Sequence, residues 1–328
     1  MADILYYCIP CYNEEEVLPE TAARLSEKLR EQIGKGLVSK KSRILFINDG
    51  SRDRTWQIIC ELHEKDPIFS GLNLSKNRGH QNALLAGLMT VKDIADVAIS
   101  MDADLQDDIT ASDQMLEKYL DGCDVVYGVR SKREKDSFFK RFTAETFYKG
   151  MNAMGANTIY NHADYRLLSA RALDGLAQFG EVNLFLRGVV PMIGYPSDVV
   201  YYERAERFAG ESKYPLRKML AFAIEGVTSL STRPLQMITC LGGFVFIGSI
   251  VALIYSLVRH FTGHTIVGWT TTILSIWAIG GAILLSLGVI GEYIGKIYLE
   301  SKSRPRYIVE QFLDDRNGFQ TRRRRDSK

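Results

Sequence analysis

From Leu235 to Val258, and again from Thr265 to Gly291, the chain carries no Asp, Glu, Lys or Arg. A helix crosses the apolar thickness of a bilayer in about 20 residues, so each run is long enough to span. A helical hairpin buried in a soluble protein has no need of two uncharged runs of this length. The pattern predicts membrane helices over about 235–259 and 266–298, joined by a short loop. Arg217, Lys218 and Arg233 precede the first, and Lys296, Lys302, Arg304 and Arg306 follow the second, whereas the loop offers only Arg259 and two histidines. Because cationic flanks stay on the cytoplasmic side, the expectation is a two-span protein of the cytoplasmic membrane with both termini and the domain that precedes the first span cytoplasmic.

Residues before 234 carry charge at ordinary density, so the sequence divides into a soluble domain over 1–213, a juxtamembrane segment over 214–232, the hairpin over 233–300 and a basic cytoplasmic tail over 301–328. Within the juxtamembrane segment, Leu216, Met219, Leu220, Ala223, Ile224, Val227 and Leu230 recur at helical spacing, which predicts an amphipathic helix lying in the membrane interface. Met1-Ala2-Asp3 runs straight into a strand-like stretch without the basic region or cleavage site of a secretory signal, so the first domain is expected to stay in the cytosol. The formal net charge of +2 is too near zero to argue for nucleic acid, and the cluster Arg322 to Arg325 suits anionic lipid headgroups better than a duplex. Cys8, Cys11, Cys60, Cys123 and Cys240 show no framework spacing and read as reduced and structural.

In the soluble part, short β-rich runs at 4–10, 43–48, 68–74, 97–101 and 124–129 alternate with helical patterns at 14–33, 53–64, 79–91 and 110–120. Alternation of this kind predicts an α/β domain, a mostly parallel Rossmann-like sheet flanked by helices. Ligands of such sheets bind beyond the carboxyl ends of the strands. Neither Gly-x-Gly-x-x-Gly after the first strand nor a Walker lysine motif occurs, and the strands lead instead into acidic and polar turns.

One turn holds Asp102, Asp104 and Gln106. Two carboxylates so close repel unless a cation lies between them, and three oxygen ligands suit Mg²⁺ or Mn²⁺, with a diphosphate completing the shell. Taken alone, Asp-x-Asp is common in solvated loops. Asp49, Tyr12 and Glu14 fall on the same expected edge, where Asp49 can accept from a base or ribose and Tyr12 offers a stacking face; the bland reading of Asp49-Gly50-Ser51 is a turn and helix cap.

Ile9-Pro10-Cys11-Tyr12-Asn13-Glu14-Glu15, Asn48-Asp49-Gly50-Ser51, Asn77-Arg78-Gly79-His80-Gln81-Asn82-Ala83 and Asp102-Ala103-Asp104-Leu105-Gln106-Asp107 resemble the successive motifs of family 2 glycosyltransferases with the GT-A fold. Arg207 to Tyr214 and Gly291 to Tyr298, with Arg304 to Tyr307, resemble the juxtamembrane and membrane motifs of the polyprenyl-phosphate subgroup. The resemblance implies inverting transfer of a sugar from a nucleotide-sugar, UDP-glucose or a related UDP-hexose first, to polyprenyl (undecaprenyl) phosphate, with Mg²⁺ or Mn²⁺. It implies donor binding by Pro10, Tyr12, Glu14, Asp49, Ser51 and Asp102, metal binding by Asp102, Asp104 and Gln106, and catalytic roles for Asp104 and for Asp164 of Asp164-Tyr165-Arg166-Leu167-Leu168. Asp164 is a base or orienting group in this reading, with capping of a helix near Ser169 or fixing of Arg166 as its structural alternatives. Arg130, Arg166, Arg207 and Lys213 are the expected acceptor-phosphate residues. Asn48 departs from the family's more usual aspartate, and Asp108 from a common proline. His80 and His162 lack metal-ligand spacing and read as structural. Gly280, Gly281, Gly288, Gly291 and Gly295 permit close helix packing and self-association. The rival functions are a membrane-tethered nucleotide-binding protein without catalysis and a polysaccharide synthase of the same fold; the latter is disfavoured by the missing Gln-x-x-Arg-Trp and the small number of spans.

Overall fold

A computed structural model describes residues 2–131, 162–182, 185–203, 232–262 and 268–315. Its described residues form two compact units. The first contains an eight-stranded sheet of order β7-β5-β6-β4-β1-β2-β3-β8. Its strands are β1 (Leu5–Cys11), β2 (Arg43–Asn48), β3 (Phe69–Leu74), β4 (Val97–Ser100), β5 (Val125–Arg130), β6 (His162–Ser169), β7 (Ser197–Tyr202) and β8 (Val309–Leu313). The helices between them are α1 (Leu18–Gly34), α2 (Thr55–Lys65), α3 (His80–Val91), α4 (Ala111–Leu120), α5 (Ala170–Ala177) and α6 (Leu186–Met192).

β1 shows why the sheet is layered on both sides. Its side chains alternate in direction: Leu5, Tyr7, Ile9 and Cys11 enter a core with Leu18, Leu25 and Leu29 of α1 and Met115 of α4, while Tyr6 and Cys8 enter a second core with Leu84 and Leu88 of α3, Leu173 of α5 and Val189 of α6. All seven residues are buried, as a strand covered on both faces requires. Pro10 is tolerated in this central strand because it lies beyond the last β1–β4 pair, Cys8 with Ser100, so its missing N–H falls where that ladder has ended. On the other face α3 comes so near β2 that a Cβ at Gly87 would lie 2.5 Å from Ile47 Cδ1.

The five expected strands are present with ends moved by no more than one residue, and β1, β2, β3 and β4 pair in parallel as expected. Three strands were not expected. β6 runs antiparallel between β4 and β5, β7 adds parallel to β5, and β8 adds antiparallel to β3. β8 corrects the reading of 301–328 as tail alone: Val309 to Leu313 complete a sheet edge, and the Tyr6 hydroxyl donates to Asp314 at 2.5 Å. α1 begins at Leu18 rather than Glu14, because residues 14–17 form a turn in which the Leu18 N–H bonds the Glu14 carbonyl at 2.9 Å. Pro19 sits in the first helical turn, where a missing N–H costs nothing.

The second unit contains α7 (Arg233–Phe261) and α8 (Trp269–Ser301). Ala278–Ser301 of α8 is long and apolar enough to cross a membrane by length and composition; in α7 the apolar stretch among the described residues is the shorter Pro234–Val245. Phe244 and Leu284 are among the large apolar side chains these helices expose, at 75% and 72%. The expected amphipathic helix over 215–231 lies outside the described residues.

Candidate active site

The carboxyl ends of β1, β2, β4 and β5 and the amino end of the antiparallel β6 bring most of the expected residues to one edge of the sheet. At the end of β1 the backbone turns through Asn13 at φ 54°, a left-handed conformation that Asn tolerates, leaving Tyr12 42% exposed. The β2 turn locks it: the Asn13 N–H donates to Ser51 Oγ at 3.0 Å, and the Arg52 N–H donates to Asn13 Oδ1 at 2.9 Å. Asn48 does what an aspartate could not, donating through Nδ2 to Asn73 Oδ1 at 2.7 Å while its Oδ1 accepts from the Ser51 N–H at 3.2 Å. Glu14 lines an open cavity of about 480 Å³ with Glu15, Glu16, Arg52 and Asp53.

Asp49 is 2% exposed, and its two oxygens accept from the backbone N–H groups of Arg78 at 2.7 Å and Gly79 at 2.9 Å. Whatever it does for a donor, it holds the turn that leads into α3. Gly50 beside it has φ 63°, and a Cβ there would lie 2.5 Å from the Asn77 nitrogen, so the close approach of the two turns requires glycine.

The metal-type turn comes directly after β4. Leu105 takes φ 56°, strained for a branched side chain, and the Gln106 N–H bonds back to Asp104 Oδ1 at 3.2 Å. Asp102 and Asp104 are partly exposed, whereas Gln106 is 8% exposed. Burial raises the pKa of Asp102; His80 opposes the rise and the carboxylates of Asp107, Asp164 and Asp104 add to it. A carboxylate pair in that setting fits a hard divalent cation. Among the described residues no three His, Cys, Asp or Glu side chains converge as a complete cage.

His80, which sequence spacing marks as structural, is corrected by its position at the first residue of α3. Its Nε2 lies 3.4 Å from Asp102 Oδ1 and 3.5 Å from Asp164 Oδ2, linking the metal-type turn to β6. Burial would lower the imidazole pKa, but Asp164 and Asp102 outweigh it and raise it.

Asp164 is positioned by β6, whose chain is tied to β4 where Ser100 Oγ donates to the Asp164 carbonyl at 2.6 Å. Its carboxylate is 8% exposed and is gripped by Arg166 Nη2 on Oδ1 and by Arg187, with Nε 3.2 Å from Oδ1 and Nη2 3.0 Å from Oδ2. Burial pushes its pKa up, but Arg187, His80 and Arg166 prevail and hold it well below the usual carboxylate range. Arg166 is 1% exposed and donates through Nη1 to the Leu186 carbonyl at 3.3 Å, which corrects its expected role: it is too buried to meet a lipid phosphate and holds Asp164 instead. Ser169 caps α5 through its own Oγ, which accepts from the Ala172 N–H at 3.0 Å, so Asp164 is no helix cap.

Arg130 closes β5, 23% exposed, with Nη2 3.2 Å from Asp107 Oδ1 and Nε 3.3 Å from the Tyr202 hydroxyl. Tyr202 in turn donates to Asp107 Oδ1 at 2.6 Å, while Asp107 Oδ2 is buried with no hydrogen-bond partner among the described residues. Arg207 and Lys213 lie outside the described residues. Tyr202 and Arg187 escaped the sequence reading, since neither carries a spacing signal and only the folded sheet brings them to the edge; Asp107 closes the quoted Asp102–Asp107 motif but was given no role.

The glycosyl transferase family 2 model matches residues 6–176. The uncharacterized glycosyltransferase YkoT of Bacillus subtilis (strain 168) is 50% identical over 307 residues, covering 94% of this chain and 91% of that protein. The bactoprenol glucosyl transferase of Shigella phage SfX is 39% identical over 306 residues, covering 92% of this chain and 97% of that protein. Among solved structures, the mannosyltransferase PcManGT from Pyrobaculum calidifontis in complex with GDP-Man and Mn²⁺ aligns with a TM-score of 0.46 and 16% identity, over 91% of this chain and 85% of that one. With the family model matched over residues 6–176, which hold the turns after β1, β2 and β4, and with relatives covered over more than nine-tenths of their length that are glycosyltransferases, this chain belongs to glycosyl transferase family 2.

Proposed function

We propose that this glycosyltransferase moves a hexose, glucose from UDP-glucose first, to polyprenyl (undecaprenyl) phosphate at the membrane surface. The observation that carries the reading is one sheet edge holding both an Asp102–Asp104 carboxylate turn, suited to a donor diphosphate, and arginines braced by buried carboxylates, suited to an acceptor phosphate. The names of relatives at 38% and 39% identity, bactoprenol glucosyl transferases, support the same lipid and sugar.

In this reading a phosphate oxygen of the lipid attacks the anomeric carbon from the face opposite the leaving group, the bond from that carbon to the β-phosphate oxygen breaks, and the nucleoside diphosphate departs with the electron pair. The attacking oxygen is already anionic near neutral pH, so positioning and charge neutralisation outweigh proton removal. Pro10, Tyr12, Glu14, Asp49 and Ser51 form the nucleoside end, and Asp164 orients the acceptor side. Asp102 and Asp104, with Gln106 beside them, would hold Mg²⁺ or Mn²⁺, which when bound supplies Lewis-acid neutralisation of the diphosphate. Arg130, Arg207 and Lys213 complete the cationic set for the lipid phosphate.

The uncharged runs support two spans with the catalytic unit and both termini cytoplasmic, and the glycines of α8 support self-association there. A reporter fused after His264 then reads extracytoplasmic; a cytoplasmic signal refutes the hairpin. For the reaction, purified full-length protein with Mg²⁺ or Mn²⁺, undecaprenyl phosphate and radiolabelled UDP- and GDP-sugars moves label into the organic phase. Nucleotide binding with no transfer from any donor refutes the proposal.

A further inference from the structure

Asp164 is an unsuitable proton acceptor in this fold. Both its oxygens already accept guanidinium N–H groups, from Arg166 and Arg187, and His80 Nε2 lies 3.5 Å from Oδ2. Of the two arginines, Arg166 is sealed at 1% exposure, whereas the Arg187 side chain is 30% exposed and reaches Asp164 from the open side. Residue 187 is also fixed through the backbone of its neighbour. The Leu186 N–H donates to Gln81 Oε1 at 3.0 Å, and the Leu186 carbonyl accepts from Arg166 Nη1 at 3.3 Å, so α3 and β6 together set where Arg187 stands. The Arg187 guanidinium is held by a buried carboxylate yet stays partly exposed, so it is placed to meet an anion arriving at the open side. The same design recurs across the edge, where buried Asp107 holds the partly exposed Arg130.

We infer that Asp164 serves as the seat of Arg187, and that Arg187 receives the phosphate of the acceptor lipid. The inference rests on the transfer proposed above and assigns this arginine to the monophosphate of the acceptor, as distinct from the diphosphate of the donor. A guanidinium presents two parallel N–H groups, so while one edge grips Asp164 the planar group keeps its orientation toward phosphoryl oxygens, which a lysine could not do. Asp164 is then a positioning residue acting through Arg187, and His80 relates that position to the donor-side carboxylate Asp102.

The test is steady-state transfer by the full-length protein and its Arg187→Gln, Arg187→Lys and Asp164→Asn variants, varying undecaprenyl phosphate and UDP-sugar separately, with UDP binding by calorimetry as the check on folding. Arg187→Gln is expected to raise the KM for the lipid phosphate about 10- to 100-fold with the KM for donor unchanged, and Arg187→Lys to recover part of the loss. Asp164→Asn is expected to raise the same KM and to keep the shape of the pH profile. An unchanged acceptor KM in Arg187→Gln, a rise in donor KM in its place, or an Asp164→Asn variant that loses kcat at saturating acceptor together with the acidic limb of its pH profile overturns the inference. Wild-type protein that binds UDP yet glycosylates no polyprenyl phosphate refutes the proposed function itself, whereas active wild type with an indifferent Arg187→Gln refutes only the role of Arg187.

Discussion

Asp49→Ala tests whether a buried carboxylate builds the nucleotide edge or merely borders it. The side chain is 2% exposed and accepts two backbone N–H groups, from Arg78 at 2.7 Å and Gly79 at 2.9 Å. Alanine removes both acceptors. The Gly79 N–H keeps Asn77 Oδ1 at 3.2 Å as a second acceptor, while the Arg78 N–H loses its bond to the carboxylate. With one partly buried donor left unsatisfied, the expected loss is about 1–3 kcal/mol, or a fall in Tm of about 2–12 °C at about 2–4 °C per kcal/mol. Asp49→Asn should cost less. Burial raises the pKa of Asp49 against its amide bonds, so the fold favours the neutral form relative to the unfolded chain: stability from this group grows as pH falls and is lost as pH rises through the folded value. A neutral amide sheds that charge burial and keeps one acceptor oxygen, leaving a loss of about 1 kcal/mol. Thermal unfolding of the detergent-purified protein, with and without UDP, measures both. An Asp49→Ala variant melting within about 1 °C of wild type would show that the carboxylate does not hold the 77–79 turn.

Asp104→Asn is expected to lower kcat at least about 100-fold while leaving Tm in place, since Asp104 is only partly buried; normal turnover in the transfer assay refutes the metal assignment. Chelation of divalent cations should abolish transfer reversibly, and activity that survives exhaustive chelation removes the cation from the reaction. Gly50→Ala must place a Cβ 2.5 Å from the Asn77 nitrogen at φ 63°, so a loss of about 2 kcal/mol or more is expected in chemical unfolding, and a stability equal to wild type would contradict the described turn. Asp164, held well below the ordinary carboxylate range, contributes stability that is present above its unfolded pKa and is lost only as pH falls through its depressed folded value. Asp164→Asn should therefore narrow its stability deficit only in strong acid, and a deficit that vanishes near about pH 5 would contradict the ion-pair geometry.

The half of the sheet built from β1 to β4 was legible because its strands are short apolar runs separated by helices with clear periodicity, and parallel pairing follows from that alternation. β6 was less so. Asp164-Tyr165-Arg166 alternates polar and aromatic residues, yet all three are buried, with Arg166 neutralised by Asp164, and no periodicity rule anticipates a fully buried arginine in a strand. β8 pairs with β3 across more than two hundred residues, a relation with no local signature. The carboxylates of the candidate site could be read because several acidic turns follow strands of one sheet and match the motifs of a known family. Arg130 could be read at the end of its strand, but Arg187 could not, since it lies on a short helix whose place depends on Gln81 and Arg166. His80 sits within a recognised motif, but metal-ligand spacing is the wrong criterion for a residue that bridges two carboxylates in space.

β8 also sets the order in which this protein can be finished. During synthesis the edge of β3 exists long before residues 309–313 leave the ribosome, and the two long apolar helices are made in between. Until then β3 presents unpaired N–H and C=O groups, the kind of edge that recruits foreign strands. Gly71 to Leu74 close against Leu313 to Val309 only when the chain returns from the helices, so the sheet is sealed last by the segment after α8. A chain shortened before residue 233 to remove its apolar helices would lose a sheet strand with them, and its surviving domain would be a poorer witness of the enzyme than its intact motifs suggest.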